Sequence, residues 1–356
     1  MAPSLVTNIL LSSVSHGGNS AFNLMNKPVI AITMGDPAGV GPELALKALA
    51  EPSIESICSP VILGDISVLK SVATRLKLPL PATVLGYRQW VDRSVAQPDR
   101  PTVVDFNAIQ MHDFQPRVVN ATTGRASFQY FDAAISAAMD GRVDAIATCP
   151  IHKEAINQAG YCFPGHTEIL ASRVDSQDYC MMLTSETISC GFVTTHVGYH
   201  EVPDLLSIDR ITKTIQLTHD ALCKIRGRAV RLCCCSLNPH GGENGLFGNM
   251  EEERLIQPAV DWARERDIVI DGPLPPDTAF LADRRCKTDG YICMYHDQGH
   301  IPLKALAFED AVNITLGLPV LRTSVDHGTA CDIAWEGVAG VSSLLEAIRL
   351  AARLAD

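Results

Sequence analysis

The chain reads as an α/β protein. Apolar strand-like runs alternate with helical patterns along its 356 residues, the arrangement of layered α/β folds. Three of the runs end in a histidine: residues 188–196 (ISCGFVTTH), 230–240 (VRLCCCSLNPH) and 291–296 (YICMYH). A Gly- and Pro-rich loop at 35–43 (GDPAGVGPE) follows the first run. In open α/β sheets ligands bind beyond the carboxyl ends of the strands, so the three imidazoles are directed to the edge where chemistry occurs.

The elements follow in order. Residues 28–34 (PVIAITM) form the first strand, and helix pattern resumes at 44–49. The intervening loop can turn tightly and approach a ligand. It has neither the Gly-Lys-Ser/Thr of a P-loop nor a GxGxxG fingerprint, and read alone it is a strand–helix connection. Residues 60–63 form a second strand; 80–115 are Pro-spotted and irregular, with a strand at 102–104. Phe128, Phe131 and Ala134 lie at helical spacing in a helix at 124–138. A strand at 144–148 leads to GHTE at 165–168, where His166 and Thr167 open a helix whose N–H groups favour anions. Residues 208–222 form a helix, Asn249 is placed to cap another, and 272–278 (GPLPPDT) form a rigid loop. A strand at 312–315 and a helix at 342–354 close the chain.

Length favours two domains. The net charge of −11 argues against a nucleic-acid partner, which needs a basic footprint, while leaving room for a local cationic pocket. The twelve cysteines lack disulfide or zinc-finger spacing. Cys233, Cys234 and Cys235 are consecutive in a strand, so they alternate faces and cannot share one metal. They read as small core residues in a reducing, cytoplasmic protein. Residues 1–26 carry no Lys, Arg, Asp or Glu, unlike a signal or transit peptide, and read as a flexible tail. The apolar stretch 4–13 is too short to span a membrane.

His196, His240 and His296 are the metal candidates. Imidazoles suit Zn, Co, Ni or Fe better than Mg or Ca, and three protein ligands leave positions open for substrate, as in catalytic sites. A single strand-terminal histidine is more often a hydrogen-bonded structural residue; three at equivalent positions favour a shared metal. Asp297, Asn238 and Glu243 stand beside them as groups able to orient ligands. Lys304 and Arg322 suit a carboxylate and a phosphate, and Asn313, His166 and Thr167 add hydrogen-bonding groups.

Ordered motifs resemble one family. They are MGDPAGVGPE, TCPIHKEAI, GHTE, TTH, LNPHGGE, GPLPPDT, MYHDQGHIPLK and VNITLGLPVLRTSVDHGTA, running from about Lys27 to the C-terminus. The chain is similar to the 4-hydroxythreonine-4-phosphate dehydrogenases of vitamin B6 biosynthesis. The resemblance implies a fold like that of isocitrate and isopropylmalate dehydrogenases, with two α/β/α domains: 27–150 plus 305–356, and 151–304 carrying the histidines. It implies a homodimer that shares its active site, and a divalent metal, zinc first with cobalt or magnesium as alternatives, on His196, His240 and His296. Substrate contacts map to His166, Thr167, Lys304, Asn313 and Arg322. Asp277, Asp297 and Lys304 become the candidates for proton transfer. His327, Gly328, Thr329 and Asp332 resemble the adenosine-binding loop of isopropylmalate dehydrogenases, which implies NAD or NADP. The implied reaction is oxidative decarboxylation of 4-hydroxythreonine 4-phosphate to 3-amino-2-oxopropyl phosphate. Leu246-Phe247 replace a more polar stretch of the biosynthetic members, and the same loop resembles a branch acting on 4-phosphorylated threonate or erythronate. Another relative oxidises an aromatic cis-dihydrodiol dicarboxylate. A metal-dependent hydrolase or aldolase, or a metal-carrying protein, would use the same three histidines.

Overall fold

In the computed structural model, residues 27–92, 98–176, 178–307 and 310–355 are described; the expected tail at 1–26 lies outside them. Twelve strands form one sheet. They are β1 (Val29–Thr33), β2 (Ser59–Gly64), β3 (Thr83–Gly86), β4 (Thr102–Asp105), β5 (Ala145–Thr148), β6 (Cys180–Thr184), β7 (Ser189–Phe192), β8 (Arg231–Cys235), β9 (Val269–Leu274), β10 (Gly290–Cys293), β11 (Val312–Leu316) and β12 (Arg322–Val325). Their order is β3-β4-β2-β1-β5-β12-β11-β6-β7-β10-β8-β9.

Most neighbours are parallel. The exceptions are β12/β11, β11/β6 and β6/β7, all antiparallel. Three reversals in a row make β7-β10-β8-β9 run opposite to β3-β4-β2-β1-β5-β12. Every residue of β1, β2 and β5 is buried, as expected for parallel strands covered on both faces. One apolar cluster packs around the first strand group. Two others cover opposite faces of the second, with Leu232 and Cys234 in one and Cys233 and Cys235 in the other. The consecutive cysteines therefore alternate between cores, as the sequence requires.

Several expectations change. The histidine runs end earlier as strands, at Phe192, Cys235 and Cys293. Edge strand β3 falls in the stretch read as irregular, and β6, β9 and β12 were not anticipated. β12 (RTSV) is polar yet fully buried, so hydropathy hides it. Residues 272–274 of the expected rigid loop belong to β9, and the helix Pro276–Ala279 follows. Asn249 caps no helix through its side chain; its own N–H goes to the Glu251 carboxylate, 2.7 Å. Among the described residues no helix is long and apolar enough to cross a membrane.

The helix Ala121–Met139 starts earlier than its apolar spacing suggests because the Asn120 side chain accepts the N–H groups of Thr122 and Thr123. It packs against the helix Lys153–Gln158 through Gly124, where an added Cβ would lie 2.1 Å from the Ala155 carbonyl oxygen. Gly124→Ala should therefore lower stability by about 1–3 kcal/mol through overpacking, against alanine's better helix propensity. Urea denaturation decides it; a more stable variant would contradict the packing.

Candidate active site

The three strands that lead to the histidines are adjacent and parallel, in the order β7-β10-β8. His196 lies four residues past the end of β7. His296 is the first residue of the helix His296–Ala307. His240 sits in the 3-10 turn Pro239–Glu243 after β8, with a positive φ of 53°, a conformation few non-glycine residues adopt.

Each histidine gives its Nδ1 to a carboxylate. His196 Nδ1 is 3.5 Å from Glu168 Oε1, His240 Nδ1 is 2.8 Å from Glu243 Oε1, and His296 Nδ1 is 2.6 Å from Asp297 Oδ1. Pairing through Nδ1 fixes ring orientation and presents Nε2, the pattern of metal-bound histidines. The donor chemistry thus fits a divalent metal. The rings of His196 and His296 stand 5.7 Å apart, while His240 packs edge-on to Phe247. Among the described residues no group of three or more His, Cys, Asp or Glu side chains is arranged to hold a metal, so one chain does not bring the trio together.

The sequence placed Glu243 and Asp297 beside their histidines, and they bond there. Asn238 acts differently. Its amide binds Glu251 and Glu252, and the buried Glu252 also accepts the N–H groups of Leu237 and Asn238, at 2.9 and 2.7 Å. Glu252 thereby anchors the turn that carries His240.

A cavity of about 220 Å³ lies over the junction of the two strand groups. Its lining includes His166, Thr167, Glu168, His196, Asn313, Arg322, His327 and Gly328. His166 and Thr167 open the helix His166–Arg173, as expected. Arg322 is only 3% exposed. Its guanidinium donates to the hydroxyls of Thr148 (2.9 Å), Thr315 (3.3 Å) and Thr167 (3.5 Å), and the Phe131 ring centroid lies 5.8 Å away. No ion pair of the described residues involves Arg322. Burial pulls its pKa down to about 9, with the Glu168 charge opposing, so it remains cationic at neutral pH.

Buried polar atoms without partners collect here: His166 Nε2, Glu168 Oε2, Asn313 Oδ1, Arg322 Nε and His327 Nε2. Native interiors leave few such atoms. Arg322 Nε can donate to an anion, whereas Glu168 Oε2 and Asn313 Oδ1 only accept, so the cavity is suited to a polar ligand that carries both an anionic group and hydrogen-bond donors. Lys304 adjoins it through Asp326, at 3.2 Å; burial pushes the Asp326 carboxyl up despite that ammonium. Hydrogen bonds from Tyr199, then His296, hold Asp297 below the usual carboxylate range. Asp277 is exposed and does not line the cavity; it lies on the helix Pro276–Ala279.

A second groove, of about 320 Å³, shares Asp326 and His327 with the cavity and is also lined by Val40, Ala330, Ile333 and Ser342. The 35–43 loop forms its back: Val40 N–H donates to the Thr329 carbonyl, 2.9 Å, and a Cβ on Gly39 would lie 2.8 Å from that oxygen. The loop is therefore more than a connection. Asp332 is exposed and does not line the groove. Sequence reasoning missed Glu168 and Asp326 as site residues. Their motif neighbours His166 and His327 were the only hint.

The family model for the pyridoxal phosphate biosynthetic protein PdxA matches residues 56–351. The chain is 44% identical over 336 residues to a 4-hydroxythreonine-4-phosphate dehydrogenase of Desulfosudis oleivorans, covering 91% of this chain and 95% of that one. It is 42% identical over 328 residues to a D-threonate 4-phosphate dehydrogenase of Cupriavidus necator, covering 92% and 97%. The crystal structure of a 4-hydroxythreonine-4-phosphate dehydrogenase from Klebsiella pneumoniae matches with a TM-score of 0.77 at 39% identity, covering 93% of this chain and all of that one.

Burial, then the Arg322 and Lys153 charges, hold His166 well below the usual histidine range. At pH 6, where an ordinary histidine of pKa about 6.5 is mostly protonated, its ring should be neutral. Stability linked to it is complete above the unfolded pKa and is lost as pH falls through the folded one. A ¹⁵N ring titration checks this; protonation of His166 alongside the surface histidines would contradict it. Taken with the cavity, the matches identify the chain: it belongs to the PdxA family and is a dehydrogenase.

Proposed function

We propose that the enzyme carries out NAD(P)-dependent oxidative decarboxylation of a 4-phosphorylated 3-hydroxy acid. 4-Hydroxythreonine 4-phosphate is the first substrate, and D-threonate or D-erythronate 4-phosphate the alternative. The observation that carries this reading is the buried, unneutralised Arg322 among unpartnered polar atoms. A guanidinium fixed by three hydroxyls suits a phosphoryl or carboxylate anion. Thr167, Asn313 and neutral His166 can supply the remaining hydrogen bonds. The threonate alternative is supported by the D-threonate relative and by Leu246-Phe247, which are exposed beside His240.

His196, His240 and His296 would hold a divalent metal, zinc first, which supplies polarisation of the substrate alcohol. A nicotinamide cofactor in the groove beside His327–Gly328–Thr329 would accept the hydride. We assign Lys304 Nζ to move the hydroxyl proton, with Asp326 behind it. Asp297, held ionised by two hydrogen bonds, orients His296. Asp277 stays with the His240 turn. Oxidation gives a 3-keto acid, whose carboxylate leaves as CO₂ because the ketone takes up the electron pair. The fixed charges and hydroxyls act without reorganisation, which is where the protein contributes most.

The same reading includes a homodimer. Leu246, at 69% exposed, lies with Phe247 and Met250 on the His240 loop, and apolar side chains there are suited to a second copy that completes the metal site. The division at 151 and 304 belongs to this proposal, although each of the two apolar clusters draws residues from both sides of it, Ile156 and Ile169 in one and Ile314 and Leu354 in the other.

Arg322→Gln should raise KM for the phosphorylated substrate and lower kcat/KM by about 100-fold or more, as expected when a buried charge pair loses one partner. Absorbance at 340 nm with 4-hydroxythreonine, threonate and erythronate phosphates gives the measurement and ranks the substrates. Unchanged kcat/KM would remove the anion role. His240→Ala should leave a folded protein that retains little zinc by mass spectrometry and turns over about 100-fold more slowly or worse. A fully active, metal-free variant would refute the metal reading.

A further inference from the structure

The three strands that end at the histidines begin together at a different cavity. Its volume is about 410 Å³. The walls come from residues 186–187 before β7, 226 and 228 before β8, and 285–289 before β10. It therefore lies at the opposite ends of β7, β8 and β10 from His196, His240 and His296, and shares no residue with the cleft.

Four cations line it, Arg226, Arg228, Arg285 and Lys287, against two carboxylates, Glu186 and Asp289. Only Arg228 is neutralised directly. It grips Asp289 with both terminal guanidinium nitrogens, at 2.6 and 3.0 Å. Arg226 is fixed through one nitrogen on the Ser185 carbonyl, 2.9 Å, and Arg285 through Nε on the Phe280 carbonyl, 3.0 Å. Among the described residues no contact ion pair joins Arg226, Arg285 or Lys287 to a carboxylate, although the Asp289 carboxylate also feels the Arg226 charge. Backbone carbonyls thus hold two guanidinium groups in place without cancelling their charge. Such placement lowers the ordering cost of binding an anion. Two positive charges stay uncompensated in one pocket of a chain whose net charge is −11.

We infer that this cavity is a second anion site, which takes a small phosphorylated metabolite. One phosphoryl group carries about −1.5 to −2 charges near neutral pH, matching the uncompensated charge, and the arginine forks match its oxygens. The volume leaves room for a polar body attached to it.

Inorganic pyrophosphate is the probe, titrated calorimetrically into the intact enzyme. Arg322 gives the cleft an anion site of its own, so the readout is stoichiometry. Relative to the native enzyme, Arg285→Gln/Lys287→Gln should lose one equivalent of pyrophosphate per chain, or bind it about tenfold more weakly, with ligand-free turnover unchanged. Lys287→Glu, at an exposed position, should weaken the same equivalent. Equal stoichiometry and affinity in all three proteins would overturn the site. Citrate serves as the polycarboxylate control. Tighter binding of citrate than of pyrophosphate at this equivalent would overturn the phosphoryl assignment, and weaker binding would support it.

Discussion

A buried guanidinium with no carboxylate in ion-pair contact is the constraint on which the cleft depends. Burying a charge is costly unless hydrogen bonds meet it, and Arg322 is met by hydroxyls from three separate elements. Thr148 ends β5, Thr315 lies in β11, and Thr167 opens the helix His166–Arg173. The register pairs Arg322 with Thr315 across β12 and β11 and with Ile146 across β12 and β5. A one-residue slip of β12 would send the side chain to the other face of the sheet and away from these hydroxyls. The polar strand at the middle of the sheet is thus held by the same contacts that prepare it for an anion.

The antiparallel reversals explain how distant motifs meet. Because β11 and β6 run against their neighbours, the two parallel groups point in opposite directions, and the cavity spans the junction instead of one carboxyl edge. Thr148, Asn313 and His196 come from the first group, the reversal and the second group. Each histidine then depends on a carboxylate from its own loop or from the neighbouring helix. Glu252 adds a further tier by holding the His240 turn through backbone N–H groups.

The groove beside His327 shows how a loop can act at a distance from any ligand. Buried Glu43 accepts the N–H groups of Gly337 and Ala339 at 3.2 and 3.1 Å, and Lys47 donates to the carbonyls of the same two residues. The helix that follows the 35–43 loop thereby clamps the far wall of the groove. The close approaches at Gly39 and at Gly41, where a Cβ would lie 2.1 Å from the Met34 carbonyl oxygen, bring that helix near enough to do so.

The sequence by itself determined the α/β class, the positions of most apolar strands, the alternating cysteines and the histidines that follow three of the strands. All of these follow from local periodicity and from residue chemistry a few positions apart. It also pointed to His166, Thr167, Asn313, Arg322 and His327, which the tertiary structure gathers around one cavity. The pairing of strands was decided only in three dimensions, because register and direction depend on contacts between residues far apart in the chain. Polar β12 escaped the hydropathy pattern, and apolar β6 was missed as well. The same dependence on distant contacts is why Glu168 and Asp326 were invisible as site residues. Nothing in an isolated glutamate records that a histidine from a strand far along the chain will lie against one oxygen while the other faces a cavity.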